Sequence, residues 1–158
     1  MQKVEMPPTA SPPTDRRPPE RHGPVIRRRV EAGALIKFAH ATGQTDPRFL
    51  GTGTSGEVIA PPTYVGTFCN DALPGVFVPR PEHDMFLHTA DCVRQHEPIR
   101  AGDTIEARAV LRSVEERVGR YGPTTVQWAD MTLVNQHGRT VATVAVEMRS
   151  FCADRNNG

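Results

Sequence analysis

The stretch Thr124–Met148, TTVQWADMTLVNQHGRTVATVAVEM, decides how this chain folds. Its first half is dense in β-branched and aromatic residues. In its second half Ala142, Val144, Val146 and Met148 alternate with Thr143, Glu147 and Arg149. Alternation with a period of two predicts strands that bury one face. Between the halves stands Asn135-Gln136-His137-Gly138, which has the chemistry of a turn: asparagine bonds its own backbone and glycine accepts a positive φ cheaply. The stretch is therefore a hairpin. Immediately upstream, Ile105, Ala107, Ala109 and Leu111 share one face of another strand, with Thr104, Glu106, Arg108 and Arg112 on the other. Leu87–Gln95 supplies a further strand, followed by Pro98 and a turn at Ala101-Gly102-Asp103.

Toward the N-terminus the period changes. Val30, Ala34, Leu35, Phe38, Ala39 and Ala41 recur at helical spacing, and Gly43 follows as a stop. Further on, the apolar run Tyr64–Leu73 sits behind Pro61-Pro62-Thr63 and ends at Pro74-Gly75. Proline at the first helical position costs nothing, because its missing donor would be unpaired there anyway, so this run reads as a buried helix starting at Pro62. The loop Gly51–Gly56, GTGTSG, has no Gly-Lys-Ser/Thr behind it and no strand ahead of it, which sets the phosphate-loop reading aside. Helices first and consecutive strands after argue an α+β fold with an antiparallel sheet.

Composition narrows the function classes. The chain has 158 residues, enough for one core, and a formal net charge of +1, which gives no field to draw it to nucleic acid or to an anionic membrane. No apolar run approaches the ~20 residues of a membrane span, and no signal-peptide core follows Met1. Cys69, Cys92 and Cys152 lie far apart and read as reduced thiols, so a cytoplasmic protein is expected. Seven of the 15 prolines fall in residues 1–24, where they deny the chain both helix and ladder. The expected organisation is a disordered tail over 1–24, one domain over 25–151 and a C-terminal tail over 152–158. His83, Asp84 and His88 leave a metal site one ligand short. Neither metal nor cofactor is expected.

Four segments carry a family resemblance: Ile36–Pro47 (IKFAHATGQTDP), Val58–Phe68 (VIAPPTYVGTF), Leu87–Thr104 (LHTADCVRQHEPIRAGDT) and Asn135–Thr143 (NQHGRTVAT). In this order they resemble successive blocks of the MaoC-like hydratase/dehydratase family, in its N-terminal-type, FAS1-like dehydratase branch. The likeness spans residues 25–151. It implies a single hot-dog fold, an antiparallel sheet wrapped around one central helix. It also implies reversible syn addition of water to a 2-enoyl thioester of coenzyme A or an acyl carrier protein. That reaction needs acid–base groups for the α-proton and the β-oxygen, and a donor for the thioester oxygen. The resemblance places the donor at the start of the central helix, among the amides of Thr63 and Tyr64 behind Pro62. His88 stands where the family often has histidine, at an interface or pocket mouth.

One block departs from the pattern. Active members carry Gly-Asp-x-Asn-Pro-x-His, and this chain has Gly43-Gln44-Thr45-Asp46-Pro47-Arg48-Phe49. Gln44 and Phe49 replace the two groups that exchange protons, and neither can do so near neutral pH. Asp46 and His40 are the candidate substitutes. Each has a plainer reading, Asp46 as a cap of the turn at Pro47 and His40 as a packing residue. His96 reads as a turn residue, and Trp128 and Phe151 as packing. Three functions follow. The chain is a thioester-binding subunit, in a homodimer or in a heterodimer with a catalytic MaoC-like subunit. Alternatively it is a stand-alone hot-dog enzyme with altered catalytic residues (a dehydratase, a thioesterase or the enzyme of a polyketide-type tailoring step), or a non-catalytic ligand-binding or scaffold module.

Overall fold

The computed structural model describes residues 20–119 and 122–153. Five strands form one antiparallel sheet: β1 Ile26–Arg29, β2 Met85–Gln95, β3 Thr104–Gly119, β4 Gly122–Val134 and β5 Thr140–Phe151. Their spatial order is β1-β3-β4-β5-β2. The β4–β5 hairpin turns where its sequence demands, with Gly138 at φ 74° and the Asn135 carboxamide oxygen accepting from the amides of His137 and Arg139. The expected alternation is realised: Ile105, Ala107, Ala109 and Leu111 are buried, as are Ala142, Val144, Val146 and Met148.

Three helical elements precede β2. α1 covers Ala32–Ala41, burying Leu35 and Ala39, and α2 is a single turn over Pro47–Leu50. A 3₁₀ helix over Pro62–Phe68 runs without a break into α3, Cys69–Ala72, and the two together are the central helix. Thr63, Val65 and Thr67 are β-branched and Gly66 interrupts them, a composition that weakens α-helical preference. The central helix buries Tyr64, Val65, Phe68, Cys69 and Ala72 against Ile99, Ile105, Met131 and Leu133. Phe68 is fully buried, and burying a side chain of that size contributes about 1.5–3 kcal/mol. A curved antiparallel sheet around one buried helix is the hot-dog arrangement.

Two details differ from the sequence reading. The short strand β1 was not anticipated, since IRRR offers only one apolar residue to an alternation. The chain also takes up its place before residue 25. His22 bridges Val110, and the Gly23 amide donates to Ala109 O. The Arg21 guanidinium meanwhile bonds the carbonyls of Gly75 and Val76. The tail boundary at 24 is thus corrected by a few residues: a segment before a proline is already extended and suits a sheet margin. The rest of that tail, 1–19, lies outside the described residues. Of the expected C-terminal tail, Cys152 donates to Glu82 O and Ala153 N–H to Asp84 Oδ1, while 154–158 lie outside the described residues.

The sheet's two margins are unequal. β1 is four residues long and arginine-rich. β2 presents eleven residues, and its apolar Phe86, Leu87 and Val93 are 53%, 40% and 39% exposed.

Candidate functional site

The loop that follows α1 is built by local chemistry. Gly43, at φ 66°, ends α1 with its amide on His40 O, and the Gln44 amide reaches back to Ala39 O. This is the Schellman closure that glycine permits. The chain then restarts at once. Asp46 caps α2, accepting from the Arg48 amide at 2.9 Å, and Pro47 takes the first helical position. The Arg48 side chain folds over the same carboxylate at 2.7 Å, and its hydrogen bonds hold Asp46 below the usual carboxylate range. Asp46 therefore has its oxygens engaged by Arg48. His40 is exposed on the last turn of α1 and lines neither of the cavities described below.

This loop meets the start of the central helix around a cavity of about 360 Å³, lined by Arg48, Phe49, Ile59, Ala60, Pro62 and the segment Gln95–Pro98. The Ile59 amide donates to Arg48 O and that of Ala60 to Ile99 O, which fixes the approach of Pro61-Pro62. The Tyr64 amide is spent on Pro61 O at 2.9 Å. Its ring is buried, edge-on to Phe38 and Phe68. Of the two donors expected at the helix start, Tyr64 is thus committed to the fold. Thr63 is exposed, and its amide has no recorded acceptor among the described residues. Phe49 stands on the cavity wall, so the position where the family pattern has its histidine does face this space. His96 also lines it, with Nε2 3.2 Å from Thr143 Oγ1, and Glu97 beside it is paired with Arg139. His96 stands just past the end of β2 and before the bend at Glu97, in the connection where the sequence put it.

A second and larger cavity, about 550 Å³, lies beside the other end of the central helix. Leu73, Phe77, Met85, Phe86 and Met148 give it an apolar wall, joined by Asn70, Arg80, His83 and His88. Its outer rim is the segment 73–84, pinned to the sheet by Gln127. That fully buried carboxamide accepts from the Val78 amide at 2.7 Å and donates to the Val78 carbonyl at 3.0 Å. His83 Nδ1 lies 2.9 Å from Ser150 Oγ, and His88 Nε2 lies 2.7 Å from Asp91 Oδ1. Among the described residues no three His, Cys, Asp or Glu side chains gather to hold a metal ion. Nor is any helix among them long and apolar enough to cross a membrane. The expected substrate residues are therefore divided: Pro62 lines the small cavity and His88 the large one.

The comparisons with known proteins agree with this architecture. Residues 21–144 match the family model described as the FAS1-like dehydratase domain region. No curated protein sequence matches significantly. Among solved structures, the chain is similar to one in the C-terminally truncated HadBC (3R-hydroxyacyl-ACP dehydratase) complex of Mycobacterium tuberculosis. That likeness has 22% identity and a TM-score of 0.67, covering 86% of this chain and 98% of the other. A MaoC-like dehydratase is 22% identical with TM-score 0.69, over 84% of this chain and 42% of the longer one. The R-hydratase PhaJ1 of Pseudomonas aeruginosa is 16% identical with TM-score 0.57, over 84% of this chain and 89% of the other. At these identities the likenesses establish the hot-dog fold.

Proposed function

The chain belongs to the FAS1-like dehydratase-domain family of MaoC-like hot-dog proteins, and from that premise we propose that it takes part in hydration and dehydration of 2-enoyl and 3-hydroxyacyl thioesters as a substrate-accommodating subunit. The observation that carries this reading is the cavity at the start of the central helix. Its backbone frame is in place, from the Gly43 cap to Pro62, while Phe49 occupies the wall where a proton-exchanging histidine is expected. A frame without its acid–base pair loses about 10²–10⁴-fold in rate. What the chain retains is room for a ligand, an apolar cavity of a size ordinary for small-molecule sites. The acid–base pair then comes from a partner.

The margin of β2 supports a partner. An eleven-residue edge with exposed Phe86, Leu87 and Val93 offers unpaired backbone groups and apolar surface together, and such edges are ordinarily paired or covered. Pairing there extends the sheet across a dimer. A structure similar to this chain is itself part of a two-component complex.

The deciding experiment assays hydration of a 2-enoyl-CoA, and of the same acyl group on a carrier protein, with and without a MaoC-like subunit that carries the full Asp and His pattern. Feeble turnover alone and a gain on mixing, with a complex in sedimentation, is the expected result. Brisk turnover by the chain alone, abolished by Asp46→Asn, would overturn the subunit role and make this an enzyme in its own right.

A further inference from the structure

The larger cavity holds groups that the reading above leaves unused. Residues opposite one another in an antiparallel pair share a face. His88 is opposite Met148 and Asp91 opposite Val146, and both partners belong to the core face, so His88 and Asp91 stand on the helix side of β2. In a regular strand residues three apart face opposite ways. Here the ladder shifts between His88 and Ala90, which leaves Thr89 as the extra residue of a bulge and brings both side chains to one side. Thr89 is held there by Glu147, whose Oε1 accepts from its hydroxyl at 2.7 Å. The outcome is the 2.7 Å contact between His88 Nε2 and Asp91 Oδ1. With the proton on Nε2, the imidazole is oriented and Nδ1 is left as a base.

Asn70, on α3, lines the same cavity, and its carboxamide supplies two N–H donors. Cys69 borders the cavity too, but burial, aided by the charge of Asp91, pushes its thiol up to about 11. A thiol so reluctant to ionise is no nucleophile at neutral pH.

We propose that this cavity hydrolyses acyl thioesters, with His88 as general base, Asn70 as donor to the developing oxyanion and Asp91 as the positioning residue of His88. The proposal rests on the reading that the chain binds acyl thioesters. His88 takes a proton from water as the water oxygen bonds to the thioester carbonyl carbon. The carbonyl oxygen becomes an oxyanion against Asn70. Its collapse breaks the C–S bond, and the imidazolium returns its proton to the departing sulfur, leaving a carboxylic acid and a thiol. The inventory fits hydrolysis better than dehydration. One base and one donor suffice for it, whereas dehydration needs a second group for the β-oxygen, and the cavity's other imidazole, His83, is engaged with Ser150.

The test uses the full chain and octanoyl-CoA, with released thiol followed across a range of pH. Binding of the non-hydrolysable thioether analogue is measured in parallel by calorimetry. Slow thiol release is expected. His88→Gln, which can keep the bond to Asp91, should lower it by about 10²-fold or more, and Asn70→Ala by about 10²-fold, each read at saturating octanoyl-CoA so that a change in binding is separated from the loss of turnover. Asp91→Asn should displace the acid limb of the pH–rate profile, a readout that a packing role would leave alone. Absence of thiol release from a chain that binds the analogue would overturn the hydrolysis site and leave the thioester-binding reading standing. Equal rates in the parent, His88→Gln and Asn70→Ala chains would overturn it as well. Failure of the parent chain to bind the analogue would overturn the underlying reading, and this proposal with it.

Discussion

At its first residue, Pro62, the central helix borders a small cavity walled by Arg48, Phe49 and His96; at its last turn it borders a larger one walled by Phe77, Met148 and His88, the last bonded to Asp91 behind it. The first has a backbone frame with Phe49 on its wall, at the position where the family pattern has a histidine. The second is built around a strand bulge and carries an imidazole already bonded to a carboxylate. Frame and chemistry are thus separable. The frame at the helix start depends on Gly43, Pro47 and Pro61-Pro62, positions fixed by backbone conformation. The side chains at 44 and 49 project from that frame, and neither Gln44 nor Phe49 disturbs the cap or the turn that carries it.

The sharpest way to test this separation is to put the chemistry back. Gln44→Asp with Phe49→His should raise 2-enoyl thioester hydration by about 10²–10⁴-fold over the unaltered chain, read from loss of the enoyl absorbance. No gain from a folded double variant would show that the frame differs from an active one. Breaking both ends together needs only the residue between them. Phe68→Ala should cost about 3–5 kcal/mol, measured by urea unfolding, because Phe68 is fully buried in the core, with the Arg28 guanidinium 3.8 Å over its ring.

Glu147 gives a finer cut, confined to the bulge end. Burial works against its charged form, but hydrogen bonds from Arg149 and Thr89 and the charge of Arg117 outweigh it and hold the carboxyl below its usual range. A depressed carboxyl contributes stability that is present above its unfolded value, about 4.3. That contribution is lost as pH falls through the lower folded value. The stability gap between the parent and Glu147→Gln should therefore be full at neutral pH and should close below pH ~4, as followed by thermal unfolding. The smallest effect expected is in thiol reactivity. At neutral pH Cys92 and Cys152, both exposed, should react with a thiol reagent in the native chain, and Cys69, buried with its thiol up at about 11, only after unfolding. Fast native reaction of Cys69 would mean that the larger cavity opens more widely than its walls suggest.

Much of the frame was legible in the residues themselves. Ile105-Ala107-Ala109-Leu111 and Ala142-Val144-Val146-Met148 declared buried strand faces, Asn135–Gly138 declared the turn between β4 and β5, and Pro62 declared the start of the central helix. These are local facts, set by side-chain period and by what proline, glycine and asparagine do to a backbone. The departure from the family pattern at Gln44 and Phe49 was legible too, since it is a matter of side-chain identity. Tertiary structure decided the rest. Only the folded sheet placed β2 beside β5, so that its margin became the exposed one. Only the bulge at Thr89 turned His88 and Asp91 to the same side. Only packing showed that Asp46 is spent on Arg48 and the Tyr64 amide on Pro61. The physical reason for the first two is that which side of a strand a residue takes depends on register with partners distant in sequence, and a one-residue shift reverses it; for the third, the choice among neighbouring donors and acceptors is made only when the local backbone conformation is fixed.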